Sequence, residues 1–400
     1  MKRKAISFYS KFHCIGSKCP SNCCQNWVIR IDDETHKHMM REAFPKNLKY
    51  RIFTVNEAGG FHHIRTIAGK CPYLRAGLCS FQWNHRMDLM PQICQVYPRR
   101  VVSYGSEAEI SLELSCIHAA ELFLETEGRL TYEEVEDDTI IMWEQGNQDP
   151  GFLTFLQESR ERMLDYLWED SHGSLVERQE ALYDYVLSIH RFIVRDQIEN
   201  AAQVKCKPRD KGAGETFFYP ISFLNQILLQ DVSFAESSKK NPTLHHLIDL
   251  YIKHAGKLYE DEAEEVFKIW YQEMITAYPK LEDTYLKYFS YVLQQIYTES
   301  YEDYHVLRKM LEALWFVDVW KLLDTVSYQV EGKAQNKTKE LDPGNQSDSL
   351  VDEELSDSYS TNWADTSEEA KRLAAVERGF RHRLRLHDIF LERARQEILS

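Results

Sequence analysis

The sequence predicts a mainly α protein, in which an N-terminal cysteine-rich metal-binding region with a few short strands is followed by a helical domain. Two observations carry this prediction. Eight of the nine cysteines fall within the first third of the chain. From about residue 150 to 330, apolar residues recur at helical spacing. A chain of 400 residues with 43% hydrophobic residues also has ample apolar surface for a large core. The expected division is 1–125 as the cysteine-rich metal-binding region, 126–335 as a helical domain, 340–369 as a disordered acidic linker and 370–400 as a C-terminal helix.

The first element is the loop Cys14-Ile-Gly-Ser-Lys-Cys19-Pro-Ser-Asn-Cys23-Cys24. Thiolates are metal ligands, and close thiols separated by Gly, Ser, Pro and Asn can fold round one ion or cluster. Core-packing cysteines would instead be scattered at helical or strand spacing, and adjacent Cys23 and Cys24 point different ways. Cys71, Cys79, Cys94 and Cys116 follow at wider spacing. Eight thiols can make two four-ligand sites, or one site with spare thiols, and the sequence does not give the connectivity. Cys206 stands alone in a polar loop and reads as incidental.

Between these motifs, Trp27-Val-Ile-Arg-Ile31 reads as a short strand, and Asp32-Asp-Glu-Thr35 as a helix start with an acidic first turn. Ser111 to Ser115 alternates, and Ala119 to Glu125 reads as a helix. Ser174-Leu-Val-Glu177 is a capping box opening a helix with the stripe Leu182, Val186, Ile189 and Ile193. Asn241-Pro242 suits an N-cap and first turn, leading into Leu244, Leu247, Ile248 and Tyr251. Amphipathic runs cover Glu262 to Tyr278, Leu281 to Tyr297 and Leu307 to Tyr328. These stripes are core positions rather than a cofactor box. The stretch from Glu340 to Glu369 has no Lys or Arg and few apolar residues, so it cannot bury enough surface to offset the entropy of ordering. Beyond it, Leu373, Val376, Phe380, Leu384, Leu391 and Ile398 mark one face of a final helix. Arg378, Arg381, Arg383, Arg385 and Arg393 give that helix a solvated basic face.

A net charge of −15 argues against a general nucleic-acid or anionic-membrane binder, because phosphate binding needs a basic face. The basic start Met1-Lys2-Arg3-Lys4 is not followed by a signal-type apolar stretch, and no segment approaches transmembrane length. A cytoplasmic location is therefore expected. There thiols stay reduced, and metal ligation outweighs disulfides.

The cysteine region resembles the flagellin lysine-N-methylase family, within a wider group of cysteine-cluster proteins that chelate zinc or iron. The resemblance rests on Phe12-His-Cys14 through Cys23-Cys24-Gln-Asn-Trp27, with Ile31-Asp32 and Thr35 following. It resumes at Lys70-Cys71-Pro-Tyr-Leu74, Gly77-Leu-Cys79-Ser80 and Cys94-Gln-Val-Tyr97-Pro98-Arg99, and closes at Leu112-Glu-Leu-Ser-Cys116. It implies transfer of methyl groups from S-adenosylmethionine to flagellin lysines by a protein carrying an iron–sulfur cluster. The metal ligands would be Cys14, Cys19, Cys23, Cys24, Cys71, Cys79, Cys94 and Cys116. A 4Fe–4S cluster is expected, with zinc as the alternative. A non-enzymatic metalloprotein scaffold is the other function compatible with the thiols. The chain departs from the family where Ile117-His118 replaces the usual Pro-Glu, and where Gln95 stands at a place commonly held by Arg.

A lysine must lose a proton before it attacks a methyl group, so a base or a desolvated pocket is needed. The candidate bases are His118, Asp32 and Asp33, each of which is more often structural. A radical S-adenosylmethionine loop would need a third cysteine where Asn26 stands. The one Gly-rich candidate for a conventional donor turn, Gly212-Ala-Gly214, has no strand ahead of it and reads as a linker turn.

Overall fold

A computed structural model describes residues 1–19, 23–24, 28–43, 49–56, 62–141, 143–146, 149–169, 172–208, 216–230, 241–255, 258, 260–335, 363, 365–380 and 384–399. The fold is mainly α, as the sequence predicts. The chain divides into two compact units: Met1–Thr154 with Tyr301–Asp303, and Phe155–Ser300 with Tyr304–Ser400.

The strands of the first unit are β1 Lys2–Ile6, β2 Arg30–Ile31, β3 Thr54–Asn56, β4 His62–Ile64, β5 Leu74–Arg75, β6 Leu78–Cys79, β7 Arg99–Ser103, β8 Glu107–Leu112, β9 Tyr132–Glu134 and β10 Trp143–Glu144. Five form one sheet in the order β10-β7-β8-β1-β9. The hairpin of β7 and β8 closes round Gly105, whose φ of 85° favours a residue without a Cβ. β1 joins β8 in parallel, with Lys2 opposite Glu107 and Ala5 opposite Ile110. Ala5, Val101, Ala108 and Ile110 make the packed face. Against this frame stands a second cluster around the β2-β4-β3 sheet and the Asp33–Ala43 helix, with Ile29, Ile31, Met39, Ile64, Tyr73, Phe81 and Leu89 buried together. Cys71 belongs to that cluster, and Cys24, Cys79 and Cys94 pack against it.

Several helices of the second unit begin at the caps the sequence marks. The capping box is present: Ser174 Oγ accepts from the Glu177 amide at 3.3 Å, and Glu177 Oε2 accepts from the Ser174 amide at 2.8 Å. Asn241 Oδ1 accepts from the Leu244 amide at the head of the Pro242–His254 helix. The expected run from Leu307 to Tyr328 is the Val306–Ser327 helix, all 22 residues of which are buried. It packs against the Leu175–Ile193, Pro242–His254, Lys280–Ile296 and Leu384–Leu399 helices. Its Trp320 meets Tyr285 and Tyr288 edge-on at 5.0 Å each, and buried charges on it are paired, Arg308 with Glu312 and Asp324 with Arg372.

The expected acidic linker lies outside the described residues except at its end. Trp363 is buried, with the Arg372 guanidinium 4.2 Å over its ring, and a helix already begins at Thr366. The C-terminal helix therefore starts before residue 370, because Trp363 supplies an apolar anchor within a stretch otherwise rich in acidic and polar residues. The described residues also give two helices here, Thr366–Phe380 and Leu384–Leu399, where the sequence reads as one. Among the described residues, no helix is long and apolar enough to cross a membrane.

Candidate metal centre

The eight thiols sit on short elements of the first unit, each fixed by local backbone bonds. Cys14 is exposed, and Cys19 ends the Gly16–Lys18 turn. Cys23 and Cys24 share a turn, and the Cys24 carbonyl accepts from the Cys71 amide at 2.8 Å, which brings the first motif to the second. Cys71 leads into the tight hairpin of β5 and β6, turned by Ala76 at φ 46° and Gly77 at φ 79°. Cys79 ends that hairpin. A Cβ on Gly16 would lie 3.3 Å from Leu78, so the first loop packs closely on the hairpin. Cys94 stands in the Gln92–Val96 helix. Cys116 caps the Ile117–Glu125 helix.

Two neighbourhoods of sulfur follow. Cys24 is pushed up by its hydrogen bond with Cys23, then by burial, then by the charges of Cys23, Cys71 and Cys79. Burial raises Cys94 well above an ordinary thiol, and Cys23, Cys71 and Cys79 add to it. Cys71 is pushed up to about 11, first by burial and then by Cys79 and Cys23. Cys24, Cys71 and Cys94 therefore each lie within electrostatic reach of Cys23 and Cys79. Cys116 is pushed up to about 12 by burial, with Cys19 and Cys23 adding, while the Ala119 and His118 amides at the helix start oppose the rise. Cys206 belongs to neither group; burial pushes its thiol up to about 12, and Arg162 opposes this.

The motif residues between the cysteines hold these neighbourhoods in place. The Tyr97 hydroxyl lies 3.1 Å from Ser115 Oγ, joining the third motif to the last. Arg99 lies 5.3 Å over the Phe12 ring, joining the third motif to the first. Gln95, at the place the resemblance gives to Arg, donates to the Met90 carbonyl at 2.7 Å.

The three candidate bases separate. Asp32 is structural: Oδ1 accepts from the Thr35 amide and Oδ2 from the Gln92 amide, each at 2.9 Å, so it caps the Asp33–Ala43 helix and ties it to the Cys94 helix. Asp33 stands in the first turn of its helix, within electrostatic reach of His36, whose ring stacks on His62 at 3.5 Å. His118 is half-buried, its Nδ1 3.2 Å from Glu121 Oε2. Its Nε2 has no solvent contact and no hydrogen-bond partner among the described residues. Sequence reasoning missed Glu121, although the i,i+3 spacing from His118 on a helix carried the signal, and it missed His13, whose ring lies 5.5 Å from that of His118. Gly212-Ala-Gly214 lies outside the described residues.

Among the described residues, no group of three or more His, Cys, Asp or Glu side chains is placed to hold one ion. The donor chemistry nonetheless fits a thiolate-bound metal. Soft sulfurs repel one another's charged forms, which a cation would relieve.

Fold and thiols together define a class first: a mainly α protein with a thiol-rich N-terminal unit. Comparison with known proteins then finds similarity in one part of the chain. Over 117 residues, 28% of this chain, it is 27% identical to flagellar biosynthetic protein FliU of Salmonella muenchen, and the match covers 69% of that protein. Over the same length it is 26% identical to a lysine-N-methylase of Salmonella typhimurium and 29% identical to one of Salmonella choleraesuis. The match spans 29% of the length of each of these two lysine-N-methylases. No family model matches the chain. No solved structure matches it.

Proposed function

We propose that the chain is a protein-lysine N-methyltransferase, carrying methyl groups from S-adenosylmethionine to lysine ε-amines of flagellin. Cys14, Cys19, Cys23, Cys24, Cys71, Cys79, Cys94 and Cys116 would hold a metal centre, a 4Fe–4S cluster or zinc. The observation that carries this reading is the gathering of thiols in the unit whose motifs resemble the flagellin lysine-N-methylases. The partial similarity to two proteins named lysine-N-methylase supports it.

In such a transfer the lysine nitrogen forms a bond to the methyl carbon as the carbon–sulfur bond breaks. The electron pair goes to sulfur, S-adenosylhomocysteine leaves, and the nitrogen sheds a proton. A lysine with an unperturbed pKa of about 10.4 must reach the methyl group neutral, so the site has to desolvate it or offer a base. Asp32 is excluded from that role by its two amide bonds. Bound to the thiols, the metal centre would supply cationic charge against their thiolates and tie the short elements into one frame.

The test is methyl transfer to purified flagellin by the full chain, prepared anaerobically, with isotopically labelled S-adenosylmethionine. Labelled methyl-lysine located by mass spectrometry is the expected result. Metal-loaded protein that transfers no label would overturn the enzymatic reading and favour the scaffold.

A further inference from the structure

We propose that a cleft within the first unit, lined by Tyr104, Ser106, Glu144, Gln145, Leu153 and Tyr301, receives a lysine side chain by its ammonium group. The choice of lysine rests on the methyl transfer proposed above. The preference for an ammonium rests on the cleft alone.

Local structure makes the cleft. Strand β10 pairs with β7 in parallel, with Glu144 opposite Ser103, and the Gln145 amide donates to the Ser103 carbonyl at 2.9 Å. Glu144 and Gln145 are thereby fixed beside the end of β7, where the chain turns through Gly105 into β8. That turn borders open space, since a Cβ on Gly105 would meet nothing within 4 Å. Leu153, Tyr104 and Tyr301 are buried and give the cleft an apolar wall. The two tyrosine rings meet edge-on, 6.0 Å apart at 68°, and Phe152 backs Tyr301 at 6.4 Å. The aromatic corner is therefore held by packing. The cleft measures about 580 Å³, within the usual range for small-molecule sites.

The polar groups select the occupant. Glu144 is exposed in the cleft, and Glu302 stands beside it, its Oε2 accepting from the Gly146 amide at 2.6 Å. Gln145 Oε1 is buried without a hydrogen-bond partner among the described residues, so the wall holds an acceptor that lacks a donor. Among the described residues, no Lys, Arg or His lines the cleft. Such a site disfavours anions and suits a group that is positive and carries N–H donors. An ammonium meets both requirements. The four-carbon stem of lysine would pack on the tyrosines and Leu153, with the charge favoured by the carboxylate and the aromatic faces. With an unperturbed pKa of about 10.4, lysine arrives protonated, and loss of its proton belongs to the transfer step. The methyl donor is the rival occupant. Its sulfonium brings charge without N–H donors, and its own carboxylate beside the amino group meets an acidic rim.

The test is saturation-transfer NMR on the full chain with two probes, Nα-acetyl-lysine N-methylamide and the norleucine compound that lacks the ammonium. The lysine probe should bind about tenfold more tightly, as expected for charge-assisted hydrogen bonds. Glu144→Gln should weaken it about two- to fivefold. Ser106→Trp, at an exposed lining residue, should block it. Both positions are exposed, and unchanged circular dichroism checks that the variants fold. Equal binding of the two probes, or lysine binding undiminished in both variants, would overturn the proposal. S-adenosylmethionine that displaces the lysine probe, and is itself blocked by Ser106→Trp, would reassign the cleft to the donor and overturn the choice of lysine. Labelled methyl transfer to flagellin that survives Ser106→Trp unchanged would overturn the cleft and leave the methyltransferase reading intact. Selective lysine binding in metal-loaded protein that transfers no label would overturn that reading and leave an ammonium site.

Discussion

The helical unit and the thiols of the N-terminal unit treat buried polar groups in different ways. In the helical unit, two buried carboxylates meet guanidinium charges supplied by the chain. Arg308 donates to Glu312 at 2.7 Å, and Arg372 donates to Asp324 at 2.7 Å. Among the thiols of the N-terminal unit like meets like: Cys24 is raised first by its hydrogen bond with Cys23, Cys71 and Cys94 by burial, with neighbouring thiols adding to each. A cation would favour the charged forms of such thiols. Under the proposed function a metal from outside the chain completes the thiols, whereas these two helical pairs are complete within it.

The largest expected effect follows directly. Replacing Cys23 and Cys24 by Ser, or removing metal with a chelator, should abolish metal binding and melt the β2-β4-β3 region. The transition of the helical unit should stay within a few degrees of its original value. Calorimetry with near-ultraviolet circular dichroism separates the two, and a single shifted transition for the whole chain would break the comparison.

Next in size is the buried pair. Arg372→Ala strips Asp324 of its counter-charge and Trp363 of a cation lying 4.2 Å over its ring. Leaving a charge buried alone costs about 3–5 kcal/mol, which should appear in urea unfolding of the helical unit. A loss below about 1 kcal/mol would show that Asp324 is neutral there.

The same unit should respond to pH. Asp318, fully buried, is pushed from 3.8 up to about 7 by burial, with Lys321 opposing. Glu369 is likewise pushed from 4.5 up to about 7 by burial. The folded state therefore holds protons that the unfolded state releases, so stability is full below about pH 4 and falls as pH rises through 7. For Asp318 alone the loss between pH 5 and 8 is about 2–3 kcal/mol, at about 1.4 kcal/mol per pKa unit. Urea midpoints across that range should fall, and Asp318→Asn should flatten the trend.

The smallest effect belongs to the hairpin beside Cys71 and Cys79. Ala76 holds a left-handed φ of 46° ahead of Gly77, a turn that favours Asn-Gly. Ala76→Asn should stabilise the N-terminal unit by about 0.5 kcal/mol and leave the helical unit untouched, as read by hydrogen exchange.

How much the sequence revealed also differs between the units. The helices were legible because local signals fix them: the Ser174 and Glu177 box, the Asn241 cap, and the stripe of Leu182, Val186, Ile189 and Ile193, all buried. What binds them together was not legible, because Arg372 reaches Asp324 from 48 positions away. In the N-terminal unit the reverse holds. The thiols stand out in the sequence, but the frame carrying them does not. Strand β1 reads Lys-Arg-Lys-Ala-Ile, without alternation, and its place is fixed by pairing with β8 about a hundred residues on. The pairing of His118 with Glu121 was within reach of sequence, since three residues on a helix make neighbours.

The central claim is that the first unit is completed by a metal held on its thiols, and the most direct test is quantitative iron and zinc analysis of the anaerobically purified full chain. The account predicts a stoichiometric metal that disappears when Cys23 and Cys24 become Ser and persists in Cys206→Ser. Metal-free protein with eight freely reactive N-terminal thiols and unchanged thermal stability would contradict it.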